Sequence, residues 1–314
     1  MRETIKIIKS KWKNDFPKSE YIEALEKLNF NITYGNTYDY VLFGCPRRDT
    51  MQEIGKVLRE NPEKCIVVDE ADDPFIRKLK NKNVKYFKRE LYNYKKYKAL
   101  LNKQYILSYF WTPMGIPNQR IQNVTDLIKP FQNIDIWGMT DKISIKNEHH
   151  LSILHEIGRG KVEKTYDLSI IMSTKDNVFR KYWINRVLKV VNEKKLNVIT
   201  HIDKNITFSD YIKITQQSKM ALSLYGCGHD TYRYWEIPAC RTVLLSPPMN
   251  KIKITNDFIN RKSALFFQTE KELADSIDYG LDNWKRISDN GYNNYQKHHT
   301  PTERIKNIMD CSSN

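Results

Sequence analysis

The densest collection of chemistry-bearing residues lies between positions 219 and 248, KMALSLYGCGHDTYRYWEIPACRTVLLSPP. An apolar run ends in Gly226-Cys227-Gly228, Asp230 or Thr231 stands where a helix cap belongs, and Arg233 and Glu236 follow on the first turns. Each residue type has a use in holding a nucleoside diphosphate. Glycines let the backbone approach closely, and free amides at a helix N-terminus bind phosphate oxygens. Thr231 adds a hydroxyl donor, Arg233 can make charge-assisted bonds to a diphosphate, and Glu236 can accept both hydroxyls of a ribose. The plainer alternative is a tight strand-to-helix turn with Arg233 and Glu236 as a surface ion pair three residues apart. The joint occurrence of glycines, cap, Arg and Glu, followed by Pro238, Ala239 and an apolar strand, favours the binding reading.

Three other groups invite chemistry and carry less. Residues 67–72 spell VVDEAD, as in nucleic-acid helicases, but no G-x-x-x-x-G-K-[ST] loop precedes them, and Gly158-Arg159-Gly160-Lys161 lies downstream. His149, His150 and His155, and again His298 and His299, cluster without the spacing of a hydrolytic metal site, so solvated surface histidines and no metal are expected. The stretch 86–98, YFKRELYNYKKYK, can be read as a base-stacking basic surface or as an amphipathic helix with snorkelling lysines.

The elements that must position these residues read as two successive βα alternations. Residues 40–44 (YVLFG), 65–69 (CIVVD) and 84–87 have the β-branched character of strands buried on both faces, with helices expected at 49–59 and 73–79. A polar stretch, 156–165, is the candidate linker. Beyond it, strands are expected at 167–172, 196–200, 220–225 and 242–246. Helices are expected at 177–191, 209–217, 231–238, 271–279 and 284–298. In such α/β sheets ligands bind beyond the carboxyl ends of the strands.

Composition agrees with two packed domains. The chain has 314 residues, 40% of them hydrophobic, with only 11 Gly and 11 Pro, which excludes a disordered or collagen-like chain. The excess of 52 Lys and Arg over 37 Asp and Glu leaves a net charge of +15, which favours anionic partners. Richness in Lys, Asn, Ile and Tyr is what an AT-rich genome produces, and that accounts for part of the charge. Cys45, Cys65, Cys227, Cys240 and Cys311 are scattered with no C-x-x-C pair, as in a reducing compartment. No secretory leader or membrane-length apolar run is evident, so a soluble, cytoplasmic protein is expected.

The segment around Glu236 resembles the donor-binding segment of GT-B glycosyltransferases, particularly the group-one-like and exostosin-like families, with their G-x-G-x-D-T-x-R-x-W-E type signature. The resemblance implies an α/β chain of two Rossmann-like domains facing a central cleft, with C-terminal helices crossing back to the first domain. The implied divisions are an acceptor domain at 1–158, a donor domain at 159–300 and a returning helix at 301–314. It implies a nucleotide-sugar donor, UDP-sugar foremost, and hexosyl transfer with no cofactor or metal required. Asp69, Asp72 and Asp73 do not form a D-x-D metal motif. By the same resemblance Glu236 holds the donor ribose, and Gly226, Gly228, His229, Asp230 and Thr231 form the loop under the diphosphate and sugar. Arg233 assists at the diphosphate. Many relatives carry a second glutamate seven or eight residues before the ribose-binding one. Here Cys227-Gly228-His229 stand in that region, so His229 is the expected contact to the transferred sugar. Arg180, in STKDNVFRKYW, is the counterpart of a basic residue after the first donor-domain strand, with Lys181 and Lys175 as rivals. It would neutralise charge on the departing nucleoside diphosphate. Lys88-Arg89-Glu90 resembles a K-R-E segment that lines the acceptor cleft.

A general base, if the anomeric centre inverts, should come from strand ends of the first domain. Asp72 and Asp73 come first and Asp49 next, each with helix capping as its ordinary use. The acceptor expected first is a glycan-type hydroxyl. A hydroxymethylated base in DNA, as for phage-type DNA glycosyltransferases, would make better use of the charge. A non-catalytic nucleic-acid-binding protein on the same fold is the alternative from another class. The oligomeric state is left open.

Overall fold

The computed structural model describes residues 2–9, 19–44, 49–69, 84–88, 162–175, 177–226, 231–249, 254 and 256–313. They fall into two compact units. Described residues up to 88, with 254 and 299–313, form the first, and 162–249 with 256–298 form the second.

The first unit contains β1 (Thr4–Ile8), α1 (Ser19–Lys27), β2 (Asn31–Thr33), β3 (Tyr40–Phe43), α2 (Met51–Glu60), β4 (Cys65–Asp69) and β5 (Lys85–Lys88). All strand pairings are parallel, in the order β2-β1-β3-β4-β5. β1 was not evident in the sequence, because Lys6 interrupts its run of isoleucines. That lysine is 4% exposed and pairs with Glu53 of α2, Nζ to Oε1 2.8 Å, so the strand is buried despite its charge. Ile54 and Val57 of α2 face Val41, Phe43, Cys65 and Val67 in the core.

The second unit contains β6 (Tyr166–Met172), α3 (Val178–Glu193), β7 (Val198–Ile202), α4 (Phe208–Gln216), β8 (Ser218–Leu222), α5 (Tyr232–Ala239), β9 (Val243–Ser246), β10 (Leu265–Phe266) and α6 (Glu270–His298). Its sheet is also parallel, in the order β10-β9-β8-β6-β7. Numbered by appearance within its unit, each sheet therefore runs 2-1-3-4-5, the doubly wound order whose crevice lies between the first and third strands. The α/β expectation of two Rossmann-like halves holds.

Trp183, Ile184, Val187 and Val191 lie on one face of α3 and pack on Leu168, Ile170, Leu222 and Leu245 of the sheet. Within the expected linker, the described residues lead straight into β6. Lys164 is held at the base of the sheet, its ammonium donating to the carbonyls of Gln216 (2.7 Å) and Arg241 (2.8 Å) and to Thr242 Oγ1 (3.1 Å). Burial pulls its pKa down to about 8.

The two helices expected at 271–279 and 284–298 are one 29-residue helix, α6. Gly280, in the gap between the two expected helices, is a point of close approach. A Cβ there would stand 2.7 Å from Leu265 Cδ1 and would press on the Met220 sulfur. α7 (Pro301–Ser313) then returns to the first unit, packing against α1. His299, expected to be solvated, is 3% exposed and lies 3.4 Å from Arg304. No helix among the described residues is long and apolar enough to cross a membrane.

Candidate functional site

In the second sheet the switch point falls between β6 and β8, and polar side chains gather at the carboxyl ends of those strands. Asn177 caps α3 by accepting from the Arg180 amide at 2.9 Å. Its Nδ2 donates to the carbonyls of Tyr225 (3.3 Å) and Gly226 (3.1 Å), beyond β8. Arg180 lies one turn into the same helix. Its guanidinium donates to the carbonyls of Tyr225 (Nε, 2.7 Å), Ser173 (NH1, 2.8 Å) and Leu224 (NH2, 3.4 Å). The Phe179 ring stacks on Tyr225 at 5.0 Å. Arg180 is thus not the freely exposed helical arginine that its position allowed. It clamps the segment after β6 to the segment after β8.

A third strand joins this arrangement. Asp203, just past β7, accepts from Ser173 Oγ (2.9 Å), the Thr174 amide (2.7 Å) and the Thr174 hydroxyl. These bonds hold its carboxyl down at about 2, the Thr174 hydroxyl contributing most. Its φ of 54° is in the left-handed region, which aspartate tolerates better than most residues.

Thr231 occupies the N-cap position of α5, yet its side chain makes no capping bond. Its hydroxyl is 3.0 Å from Ser223 Oγ, with both groups buried. Glu236, five residues on, is 7% exposed. Burial raises its pKa to about 7, and the Arg233 charge and the Tyr211 hydroxyl of α4 pull the other way. Arg233 lies over the Tyr211 ring at 5.9 Å, and its Nε is buried with no hydrogen-bond partner among the described residues. Glu236 is buried and Arg233 half-buried on α5, with Tyr211 of α4 against both, so the pair is not the surface ion pair that their spacing also permitted.

The structure brings Arg180 and Gly226 together through Asn177 and the carbonyls around Tyr225. Thr231, Arg233 and Glu236 follow on α5, where the loop after β8 leads. Gly228, His229 and Asp230 lie outside the described residues, as do Asp72, Asp73, Arg89 and Glu90. Lys88 ends β5, paired with Asp69 in the sheet. Asp49 is exposed and directly precedes Thr50, the N-cap of α2. Cys65 and Cys240 are free and buried. No cluster of three or more His, Cys, Asp or Glu able to hold a metal occurs among the described residues. Asn177 and Asp203 were missed in the sequence. An Asn at a helix start was a visible signal for the first, and nothing local marked the second.

Residues 180–310 match the family described as glycosyl transferase-like, a span of about two fifths of the chain. The match begins at Arg180 and contains the whole segment that carries the resemblance to GT-B glycosyltransferases, so that resemblance holds. No curated protein matches the chain. Among solved structures, a DNA-modifying β-glucosyltransferase, determined with and without uridine diphosphoglucose, is similar at 14% identity. There the alignment covers 99% of this chain and 100% of that one, with a TM-score of 0.49. A glycosyltransferase of avilamycin A biosynthesis is similar at 8% identity, covering 99% and 97% with a TM-score of 0.48. One from Rickettsia africae is similar at 12% identity, covering 99% and 98% with a TM-score of 0.43.

Proposed function

We propose that this protein transfers a hexose from a nucleoside-diphosphate sugar, with uridine diphosphate as the leaving group, to an acceptor hydroxyl, without a metal. The observation that supports this most is the polar gathering at the β6/β8 switch point, of which Arg180, Asp203 and the segment at Leu224–Gly226 lie inside the span that matches the glycosyl transferase-like family. The diphosphate would lie at the Gly226 turn, and Glu236 would accept from the ribose hydroxyls, with Arg233 beside it. Breaking the anomeric bond leaves negative charge on the diphosphate. The Arg180 cation, fixed by three carbonyls, would stabilise that charge without having to reorganise. Gly228, His229, Asp230 and Thr231 would complete the loop around diphosphate and sugar. Asp49, Asp72 and Asp73 are the candidate bases, and Lys88, Arg89 and Glu90 the candidate acceptor contacts.

A glycan-type acceptor is the first reading. A hydroxymethylated base in DNA is the second, favoured by the net charge of +15. A panel of nucleotide sugars read by thermal shift tests the donor, since a bound donor raises apparent stability by mass action. Glu236→Ala and Arg180→Ala should abolish the shift produced by UDP-glucose, and unchanged binding by calorimetry would remove the main support. Duplex DNA binding that weakens steeply with salt would move the acceptor to the second reading, and absence of binding at about 50 mM salt would exclude it. DNA binding without any nucleotide-sugar binding would point to a non-catalytic nucleic-acid-binding protein.

A further inference from the structure

We propose that Asp203 is a positioning residue for the donor site, acting through the segment after β6 and Arg180 on the Gly226 turn. The inference rests on the nucleotide-sugar reading for its functional consequence, and on geometry alone for the coupling. Asp203 takes three bonds from Ser173 and Thr174. The Ser173 carbonyl, in the segment so fixed, accepts from Arg180 NH1 at 2.8 Å. The opposite edge of the same guanidinium holds the carbonyls of Leu224 and Tyr225. Asn177 secures the next carbonyl, that of Gly226, at 3.1 Å. The chain of bonds therefore runs from the end of β7 through the end of β6 to the end of β8, and closes on the turn expected to receive the diphosphate.

Two features indicate that this is more than local loop packing. The acceptors used by Arg180 and Asn177 are main-chain carbonyls, so their amides' neighbours are oriented whatever side chains occupy the turn. Arg180 also spends Nε and both terminal nitrogens on protein carbonyls, which makes its contribution to a bound anion a fixed charge whose place depends on those anchors. If the Ser173 carbonyl moves, the cation moves with it, and a displacement of about 1 Å at such a group is enough to cost on the order of 100-fold in rate. Among the described residues the side-chain bonds of Asp203 go to Ser173 and Thr174, so its effect on the turn passes through Arg180.

The experiment compares wild type with Asp203→Ala and Asp203→Asn, in two measurements on the full chain. Asn retains an oxygen that can accept from Thr174, whereas Ala retains none. In the ligand-free protein, amide exchange should rise in Asp203→Ala at 174–177 and also at 224–226, with the interior of β6 and β8 unchanged. Asp203→Asn should restore most of the protection. Calorimetry with UDP should show affinity lowered about tenfold or more in Asp203→Ala and largely recovered in Asp203→Asn. Exchange confined to 174–177, or full UDP affinity in Asp203→Ala, would overturn the coupling. If wild type binds neither UDP nor UDP-glucose, the nucleotide-sugar reading fails. The exchange at 224–226 still decides whether Asp203 braces the turn.

Discussion

The two sheets of this chain are wound in the same order, and their polar groups are placed differently. In the sheet of the first unit the described buried charge is Lys6, in the middle of β1. It is paired with Glu53 and lies 3.4 Å from Asn36 Oδ1 and 5.7 Å from the Tyr38 ring centroid. That arrangement fastens a helix to a sheet. In the second unit Arg180, Asn177 and Asp203 stand at the carboxyl ends of three adjacent strands and bond to one another's loops. The topology is shared and a site is not implied by it, because a doubly wound sheet creates a crevice without supplying the groups that make it bind.

The largest effect expected to test this contrast comes from Arg180→Ala. It removes a charge and three carbonyl bonds, and should lower UDP affinity by about 100-fold, roughly 3 kcal/mol. Titration calorimetry checks it. A loss below about threefold would place Arg180 with Lys6 as a packing residue.

Gly291→Ala separates stability from binding within the second unit. A Cβ at Gly291 would meet the Ser263 carbonyl oxygen at 2.7 Å, a backbone atom that cannot rotate away. Overpacking of this kind costs about 1–3 kcal/mol, offset by up to about 1 kcal/mol from the better helix propensity of alanine. Urea unfolding should show a net loss of about 1–2 kcal/mol at unchanged UDP affinity. An equal loss of affinity would mean that the site depends on how α6 seats on the sheet.

Glu236 gives a pH dependence of definite sign. Its folded pKa of about 7 is above the ordinary 4.5, so the folded chain holds the proton more tightly. Stability of the ligand-free protein should therefore decline as pH rises from about 4.5 to about 7, then level off. A ribose that donates to the carboxylate prefers the ionised form. UDP affinity should consequently fall by up to about tenfold per pH unit below pH 7, and Glu236→Gln should flatten the profile. A flat wild-type profile between pH 5.5 and about 8 would detach Glu236 from the ribose.

What the sequence disclosed follows from the range of the interactions involved. β6 and α3 were legible because a β-branched run and a one-sided apolar pattern are local, and Asn177 marked the start of the helix. β1 was not, because Lys6 looks unsuited to a central strand until Glu53, 47 positions away in the chain, is brought to 2.8 Å. The gap expected between 279 and 284 is helical in the structure. Gly280 stands in that gap, and close packing against Met220 and Leu265 requires its missing side chain. At the site, the glycines, Arg233 and Glu236 were visible as a pattern. The carbonyl partners of Arg180 were not, since main-chain acceptors leave no trace in residue type, and Asp203 reads as an ordinary polar turn residue.

The smallest effect is expected at Lys6, and it bears most directly on the comparison. Lys6→Met keeps most of the side-chain volume while removing the charge from the interior of the first sheet. The partner left behind, Glu53, has a side chain 49% exposed and can be solvated by water, so no buried charge is orphaned. Replacing a buried ion pair by apolar groups is often neutral or stabilising. Unfolding free energy should therefore change by less than about 1 kcal/mol, with UDP affinity and transfer rate unchanged. Lys6→Ala should cost about 2 kcal/mol or more through lost packing alone. If Lys6→Met instead suppresses transfer while stability and UDP affinity stay intact, the buried lysine belongs to acceptor chemistry. The two units would then differ in which substrate their polar groups serve, and no longer in whether they serve one.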